Sequence, residues 1–240
     1  MTGLGTIINV AAILVGCLAG LVLKGGVPKR LQDIINSAVG LCVVFVGITG
    51  ALKGLMYVDG NGFGTRDTLL VVICMVIGSS LGEWINIEHR LELLGEWCKS
   101  KVPAGHASST FVEAFVSSSL LFCVGAMAIV GSLEDGLNHE YTTLFTKAVM
   151  DGVLSVIFTA TLGIGTAFSI FPVAIYQGSI TLLAGVVRPI LTELMITRLS
   201  CVGSILIFAL GLNLVLGSKI KIGNMLPAVF LPVIACLLGF

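Results

Sequence analysis

Charged side chains embedded in apolar sequence are the residues of this chain that could do chemistry. Lys147 and Asp151 are four positions apart, so on a helix they would lie one turn from each other. Glu134 and Asp135 end an apolar run that begins near Glu113. Because a charge at membrane depth is costly, such residues are functional candidates by default. We expect Asp151, together with Glu134 and Asp135, to bind a cation or relay protons.

Each of these charges also has a structural interpretation. The Lys147–Asp151 pair could be an ordinary ion pair at an interface. Glu134 and Asp135 could lie in a solvated loop, and Glu113 could stabilise a helix start through the helix dipole. The sequence leaves these alternatives open. Asp151 is the strongest single candidate, because an uninterrupted apolar run follows it.

Three neutral amides, Asn9, Gln177 and Asn213, also lie inside apolar stretches. An amide carries both hydrogen-bond donors and an acceptor, and hydrocarbon offers no partner to either. These side chains therefore either bridge helices or contact a solute, and the sequence favours neither option.

Enzymatic chemistry is not expected. The sequence contains no HExxH metal motif, no GxSxG nucleophile turn and no phosphate-binding P-loop. We therefore predict no catalytic residue, no cofactor and no metal site.

The composition indicates which elements position the candidate residues. Of the 240 residues, 56% are hydrophobic and 11% are charged, whereas soluble proteins carry roughly 25% charged residues. The mean hydropathy is +1.08. A net charge of zero without a basic stripe excludes nucleic-acid binding, and seven scattered cysteines exclude a disulfide scaffold. The chain is expected to be an all-α, polytopic helical membrane protein whose main partner is the lipid bilayer.

Eight apolar stretches are candidate membrane spans, for which about 20 residues are needed. They are residues 4–23, 34–52, 68–86, 112–132, 149–169, 173–191, 199–217 and 225–240. The fifth and sixth are nearly fused. We predict that the chain turns between them at Phe168–Pro172, because one helix over both would be about twice the hydrocarbon thickness. Eight spans is the prediction, and seven is the alternative.

Two segments depart from a simple apolar helix. The fourth span is rich in serine, glycine and alanine, which predicts a broken or re-entrant helix that lines a polar cavity. Residues 87–109 form an amphipathic connection in which Ile87, Leu91, Leu94 and Trp97 recur at helical spacing. We expect an interfacial helix there, either regulatory or packed for structural reasons only.

Three pairs of short, similar sequence segments indicate an internal repeat. Residues 18–22, 37–40 and 76–82 resemble residues 183–187, 200–203 and 233–239, in the same order. The copies are five spans apart, which is an odd number, so they would run in opposite directions through the bilayer. We predict one membrane domain over 1–240, with repeat one at 1–86, the amphipathic connection at 87–109, a central hairpin at 110–171 and repeat two at 172–240. Inverted repeats are common in secondary transporters.

Glycine pairs indicate close helix packing. Gly16 with Gly20, and Gly78 with Gly82, have the GxxxG spacing that lets helix backbones approach in lipid. The same faces could instead form a homo-oligomer, and the motif alone does not decide.

Several motifs together resemble a known family. They are residues 5–9, 27–31, 130–136, 147–152, 162–165, 176–178 and 224–228. In these segments the chain resembles the YqgA/YdfK-like family of bacterial inner-membrane proteins, a domain of unknown function. The resemblance covers essentially the whole chain. It implies a multi-pass protein of the bacterial plasma membrane and names no substrate.

Two functions are consistent with these observations. The first is membrane transport, by a secondary transporter or channel-like permease, of an unidentified small solute or ion. The inverted repeat and the intramembrane acids favour it. The alternative is a non-transporting component that binds a membrane partner or supports assembly.

Overall fold

The structure is a computed structural model that describes residues 2–24, 28–59, 62–102, 109–189, 191–217 and 220–239. Nearly all of its secondary structure is helical. The α-helices are α1 (Leu4–Lys24), α2 (Lys29–Leu55), α3 (Thr68–Ile85), α4 (Ile87–Ser100), α5 (Phe111–Cys123), α6 (Ala126–Asn138), α7 (Thr142–Thr161), α8 (Ile170–Leu182), α9 (Ala184–Val187), α10 (Glu193–Leu216) and α11 (Ile222–Leu237). A 3₁₀ helix covers Ile164–Ser169.

Five of the described helices are long and apolar enough to cross a bilayer: α1, α2, α3, α7 and α10. The pair α5 and α6 makes a sixth if it counts as one span, and α11 is a shorter apolar helix. These helices confirm the predicted class, a helical membrane protein.

The fourth predicted span is a broken helix. Helix α5 ends at Cys123, α6 begins at Ala126, and the two are bent by 59° at the break. Gly125 has a φ of +138°, a backbone conformation that side chains with a Cβ rarely adopt. The prediction of a broken or re-entrant helix is therefore confirmed.

A short β-hairpin departs from the all-helical prediction. Strand β1 (Met56–Asp59) pairs antiparallel with β2 (Gly62–Thr65), and Tyr57 lies opposite Gly64. The connection between α2 and α3 carries Tyr57, Val58 and Phe63, whose side chains favour extended backbone. Length and hydropathy do not detect such a short element.

The turn predicted at Phe168–Pro172 is wrong. Helix α7 ends at Thr161, and Gly163 has a φ of +106°, which ends the helix there. The 3₁₀ helix then leads directly into α8. Pro172 lies in the first turn of α8, where a missing N–H breaks no helical hydrogen bond.

The amphipathic connection contains a helix, as predicted. In α4, Leu94 and Trp97 are exposed, while Gly95 and Cys98 are buried. A Cβ at Gly95 would contact Val112 and Phe115 of α5. Of the other predicted apolar positions, Ile87 and Leu91 are partly buried. Residues 103–108 of the predicted connection lie outside the described residues.

The described helices divide into two compact units, each made of separate stretches of chain. The first contains Met1–Ala38, Leu91–Cys123 and Met127–Ile190. The second contains Val39–Arg90, Val124–Ala126 and Leu191–Phe240.

In the first unit, α1 and α7 pack side by side and run in the same direction. A Cβ at Gly5 would touch Leu144, one at Gly16 would meet Ser155, and one at Gly20 would meet the Val156 carbonyl. Helix α8 runs the opposite way along α1. The Thr6 hydroxyl lies 3.5 Å from the Thr181 hydroxyl, and Asn9 contacts Gln177.

In the second unit, two helix pairs pack antiparallel through glycine. Gly78 and Gly82 of α3 lie against Ala228 and Asn224 of α11. Helix α2 packs on α10 in the same manner. Gly40 lies against Val215, Gly47 against Phe208 and Gly54 against Cys201. Both predicted GxxxG pairs, Gly16/Gly20 and Gly78/Gly82, therefore pack against helices of their own chain.

The close approach at Gly82 makes a testable prediction. A Cβ on Gly82 would overlap the Asn224 carbonyl oxygen, a backbone atom that cannot rotate away. We expect Gly82→Ala to lower the free energy of unfolding by about 1–3 kcal/mol, the usual cost of overpacking. Thermal unfolding of the detergent-purified chain measures this.

The matched control is Gly178→Ala in α8, because a Cβ there meets nothing within 4 Å. This change should leave stability equal or raise it by up to about 1 kcal/mol through helix propensity. Equal unfolding temperatures for the two variants would contradict the packing of α3 on α11.

Candidate functional site

A buried polar network joins α1, α7 and α8 in the first unit. The Lys147 ammonium donates to both carboxylate oxygens of Asp151, at 3.0 Å to Oδ1 and 2.7 Å to Oδ2. Asn9 Nδ2 donates to Asp151 Oδ2 at 3.1 Å and to Gln177 Oε1 at 3.2 Å. Asn9 and Gln177 are fully buried, and the two charged residues are 6% and 4% exposed. Four of the predicted site residues thus form one cluster.

Small residues position this network. Gly16 lies against the Gly152 carbonyl and Ser155, so the backbones of α1 and α7 come close together. The Ser155 hydroxyl also donates to the Ile13 carbonyl of α1 at 3.1 Å. This close packing brings Asn9 of α1 within hydrogen-bond distance of Asp151 of α7.

The ion pair balances the charge of the network. Asp151 accepts three hydrogen bonds, two of them from the Lys147 ammonium. Burying two charges costs several kcal/mol per ion, about as much as their attraction returns, so a buried pair is weak evidence for added stability. Among the described residues, no group of three or more His, Cys, Asp or Glu is placed to hold a metal ion.

Several polar atoms in the first unit are buried without a hydrogen-bond partner. Two belong to the network: Asn9 Oδ1, an acceptor, and Gln177 Nε2, a donor. The hydroxyls of Ser118, Ser132 and Thr166 are also buried without a hydrogen-bond partner. Leaving such an atom unpaired costs about 1–3 kcal/mol. A hydrogen bond from water or from a polar solute would offset this cost.

Glu134 and Asp135 have hydrogen-bond partners outside this network. Asp135 is fully buried and accepts from the backbone N–H groups of Gly3 at 2.9 Å and Gly5 at 3.0 Å, so it caps the start of α1. Glu134 accepts from the Thr143 hydroxyl at 2.6 Å. No hydrogen bond in the described part of the chain joins either acid to the Asp151 network.

Glu113 and Asn213 are the two remaining candidates. Glu113 is exposed in the first turn of α5, as the helix-dipole alternative expects. Asn213, near the end of α10, donates to the Ile220 carbonyl at 2.9 Å and accepts from the Ile220 N–H at 3.0 Å. It closes the connection from α10 to α11.

The sequence did not identify two polar clusters of the second unit. The Arg198 guanidinium pairs with Asp67 at 2.6 Å and 2.9 Å. Asn224 accepts from the Glu88 N–H at the start of α4, while Glu88 accepts from the Gly223 N–H at the start of α11. The partners are more than 130 positions apart, so no local pattern indicates them.

Comparison with known proteins supports the resemblance drawn from the motifs. The model of the family described as "Protein of unknown function (DUF554)" matches residues 4–237. "Uncharacterized membrane protein YdfK" of Bacillus subtilis (strain 168) is 31% identical over 229 residues, 95% of this chain and 93% of that protein. "Uncharacterized protein YqgA" of Escherichia coli (strain K12) is 26% identical over 234 residues, 95% of this chain and 94% of that one. No solved structure matches significantly.

If Lys147 and Asp151 form an ion pair, substitutions at the two positions should have non-additive effects on stability. Lys147→Met leaves the Asp151 carboxylate buried without its cation, so we expect a loss of about 3–5 kcal/mol in unfolding free energy. The double variant Lys147→Met/Asp151→Asn removes that uncompensated charge and should be more stable than Lys147→Met alone. Additive losses in this double-mutant cycle, measured by thermal unfolding, would contradict the pairing.

The Asp135 cap makes a second prediction. Asp135→Ala removes the acceptor for two backbone N–H groups and should cost about 1–3 kcal/mol. Glu140→Ala, a change of an exposed acid in the connection after α6, is the matched control. We expect the control to unfold within about 0.5 kcal/mol of the parent chain. If the two variants were equally stable, Asp135 would not anchor α1.

Proposed function

The chain belongs to the DUF554 family, and we propose that it is a multi-pass membrane transport protein, a secondary transporter or channel-like permease for a small solute or ion. The observation that carries this proposal is the buried Asn9–Asp151–Lys147–Gln177 network with its two unpartnered amide atoms. Intramembrane polar groups that face a bundle interior are costly and are typical of solute or ion pathways.

We propose eight crossings. They are α1, α2, α3, the α5–α6 pair, α7, the 3₁₀ helix with α8 and α9, α10 and α11, while α4 lies in the interface. On this count α1 is the first crossing and α7 the fifth, so they should run in the same direction. They do so in the first unit. If the α5–α6 pair were a re-entrant loop, α7 would run opposite to α1.

The packing also supports an inverted repeat. Its proposed counterparts are α1 with α8, α2 with α10, and α3 with α11. Each of these pairs packs antiparallel within its own unit. Copies of opposite orientation require this direction, and similar halves that can exchange roles are a common basis of alternating access.

We assign the pathway to the first unit. In it, Lys147 and Asp151 supply a balanced pair of charges, and Asn9 and Gln177 supply neutral hydrogen bonds. Ser118, Ser132 and Thr166 add further buried hydroxyls. Glu134 and Asp135 form hydrogen bonds with a hydroxyl and with backbone N–H groups outside the network, Glu113 is exposed, and Asn213 binds the Ile220 backbone. The pathway does not depend on these four residues.

The alternative, a component that only binds a partner or supports assembly, has less support. Its sequence basis was the two GxxxG pairs, and both face helices of their own chain. We further propose that the protein is not an enzyme and resides in the bacterial inner membrane; its resemblance to a family of bacterial membrane proteins supports this location.

Water access to the network tests the transport proposal. We expect a cysteine at Gln177 to react with a small hydrophilic methanethiosulfonate reagent in membranes, because a transport cycle must open the network to water. Val173→Cys is the matched control, since Val173 is equally buried in α8 and lies one turn before Gln177. Mass spectrometry measures the label added to each variant. The label added to the parent chain, which already has seven cysteines, is the background to be subtracted.

Labelling at Gln177→Cys but not at Val173→Cys would support a pathway. If neither introduced cysteine reacted, although both variants keep the unfolding temperature of the parent chain, the network would serve only to pack the helices together. The transport proposal would then fail. Cys98 serves in the same experiment as a reference position at which we expect little labelling. Burial raises the pKa of its thiol and so favours the protonated form, which reacts slowly.

A further inference from the structure

We propose that the Asn9–Gln177 pair binds a neutral solute that carries a hydrogen-bond donor beside an acceptor, the arrangement found in carboxamides and ureas. The inference rests on the proposed function and names the substrate class of that same site. It departs from the expectation that Asp151 binds a cation.

The orientation of the two amides follows from the carboxylate. Asp151 can only accept while it is ionised, so Asn9 must direct its NH₂ group, and not its oxygen, toward Asp151. The same NH₂ group reaches Gln177, which must therefore present Oε1. These two constraints fix which amide atoms are engaged and leave Asn9 Oδ1 and Gln177 Nε2 as the free pair.

The free atoms are complementary to an amide-like ligand. Asn9 Oδ1 needs a donor and Gln177 Nε2 needs an acceptor, and both atoms belong to fully buried side chains. The two amide groups already contact each other at 3.2 Å through their other atoms. A ligand that offers both an N–H and a C=O carries the partner that each of the two free atoms lacks.

Charged ligands fit this site less well. A cation would have to displace the Lys147 ammonium from Asp151 and leave that ammonium buried without its partner. An anion could accept from Gln177 Nε2, but Asn9 Oδ1 would repel it. The balanced charge of the Lys147–Asp151 pair therefore favours a neutral ligand.

Acetamide and acetate form a matched pair of probes for this inference. They have the same size and shape, but only acetamide offers a donor beside its acceptor. The full-length chain is purified in detergent, and its unfolding temperature is titrated with millimolar acetamide, sodium acetate, and the chlorides of lithium, sodium and potassium. A ligand that binds only the folded protein raises this temperature in a saturable way.

We expect acetamide to raise the unfolding temperature by a few degrees, with no comparable effect of acetate or the salts. Gln177→Leu should abolish the shift, and so should Gln177→Glu, which keeps the acceptor for Asn9 but removes the free donor. Thr49→Val is the control, because Thr49 is a polar residue of α2 whose hydroxyl binds its own helix. It should keep the full acetamide shift.

The other outcomes are decisive as well. A saturable shift with one of the alkali cations instead of acetamide would overturn the neutral-solute inference and leave the transport proposal standing. The absence of any acetamide shift in the parent chain would overturn it too, whether or not the variants fold. The Gln177→Cys labelling then shows separately whether a pathway exists.

Discussion

The buried contact between Lys147 and Asp151 is the interaction on which the first unit depends. An ion pair this deeply enclosed is tolerable in hydrocarbon only when the remaining hydrogen-bonding capacity of the carboxylate is also used. Asn9 uses part of it, and its position requires the glycine-mediated approach of α1 to α7. Asp135 then holds the start of α1 through two backbone N–H groups. The helix packing and the polar network therefore stabilise each other.

A solute pathway also needs irregular helices in addition to the buried polar network. Backbone polar groups freed by a break are tolerated at membrane depth only where protein or water surrounds them. The 3₁₀ helix before α8 belongs to the first unit, and so do Phe111–Cys123 and Met127–Asn138, the helices on either side of the break at Gly125. Three of the buried hydroxyls without partners lie in α5, in α6 and in that 3₁₀ helix.

Local spacing predicted the features that depend on one helix, and it missed those that depend on two. The i, i+4 spacing identified the Lys147–Asp151 contact, and residue content identified the broken fourth helix and the helix of 87–100. The end of α7 was misplaced because Pro172 is a more conspicuous signal than the left-handed Gly163. The Asn9–Gln177 contact and the Asp135 cap join residues 168 and 130 positions apart, so only the folded chain reveals them.

On the proposed function, the unpartnered atoms of the network, Asn9 Oδ1 and Gln177 Nε2, bind a polar molecule inside the membrane. An experimental structure of the chain in a lipid phase, at a resolution that shows ordered waters, tests it most directly. We expect non-protein density within hydrogen-bond distance of both Asn9 Oδ1 and Gln177 Nε2. A dry, close-packed contact at these atoms, with the Lys147–Asp151 pair intact, would contradict it.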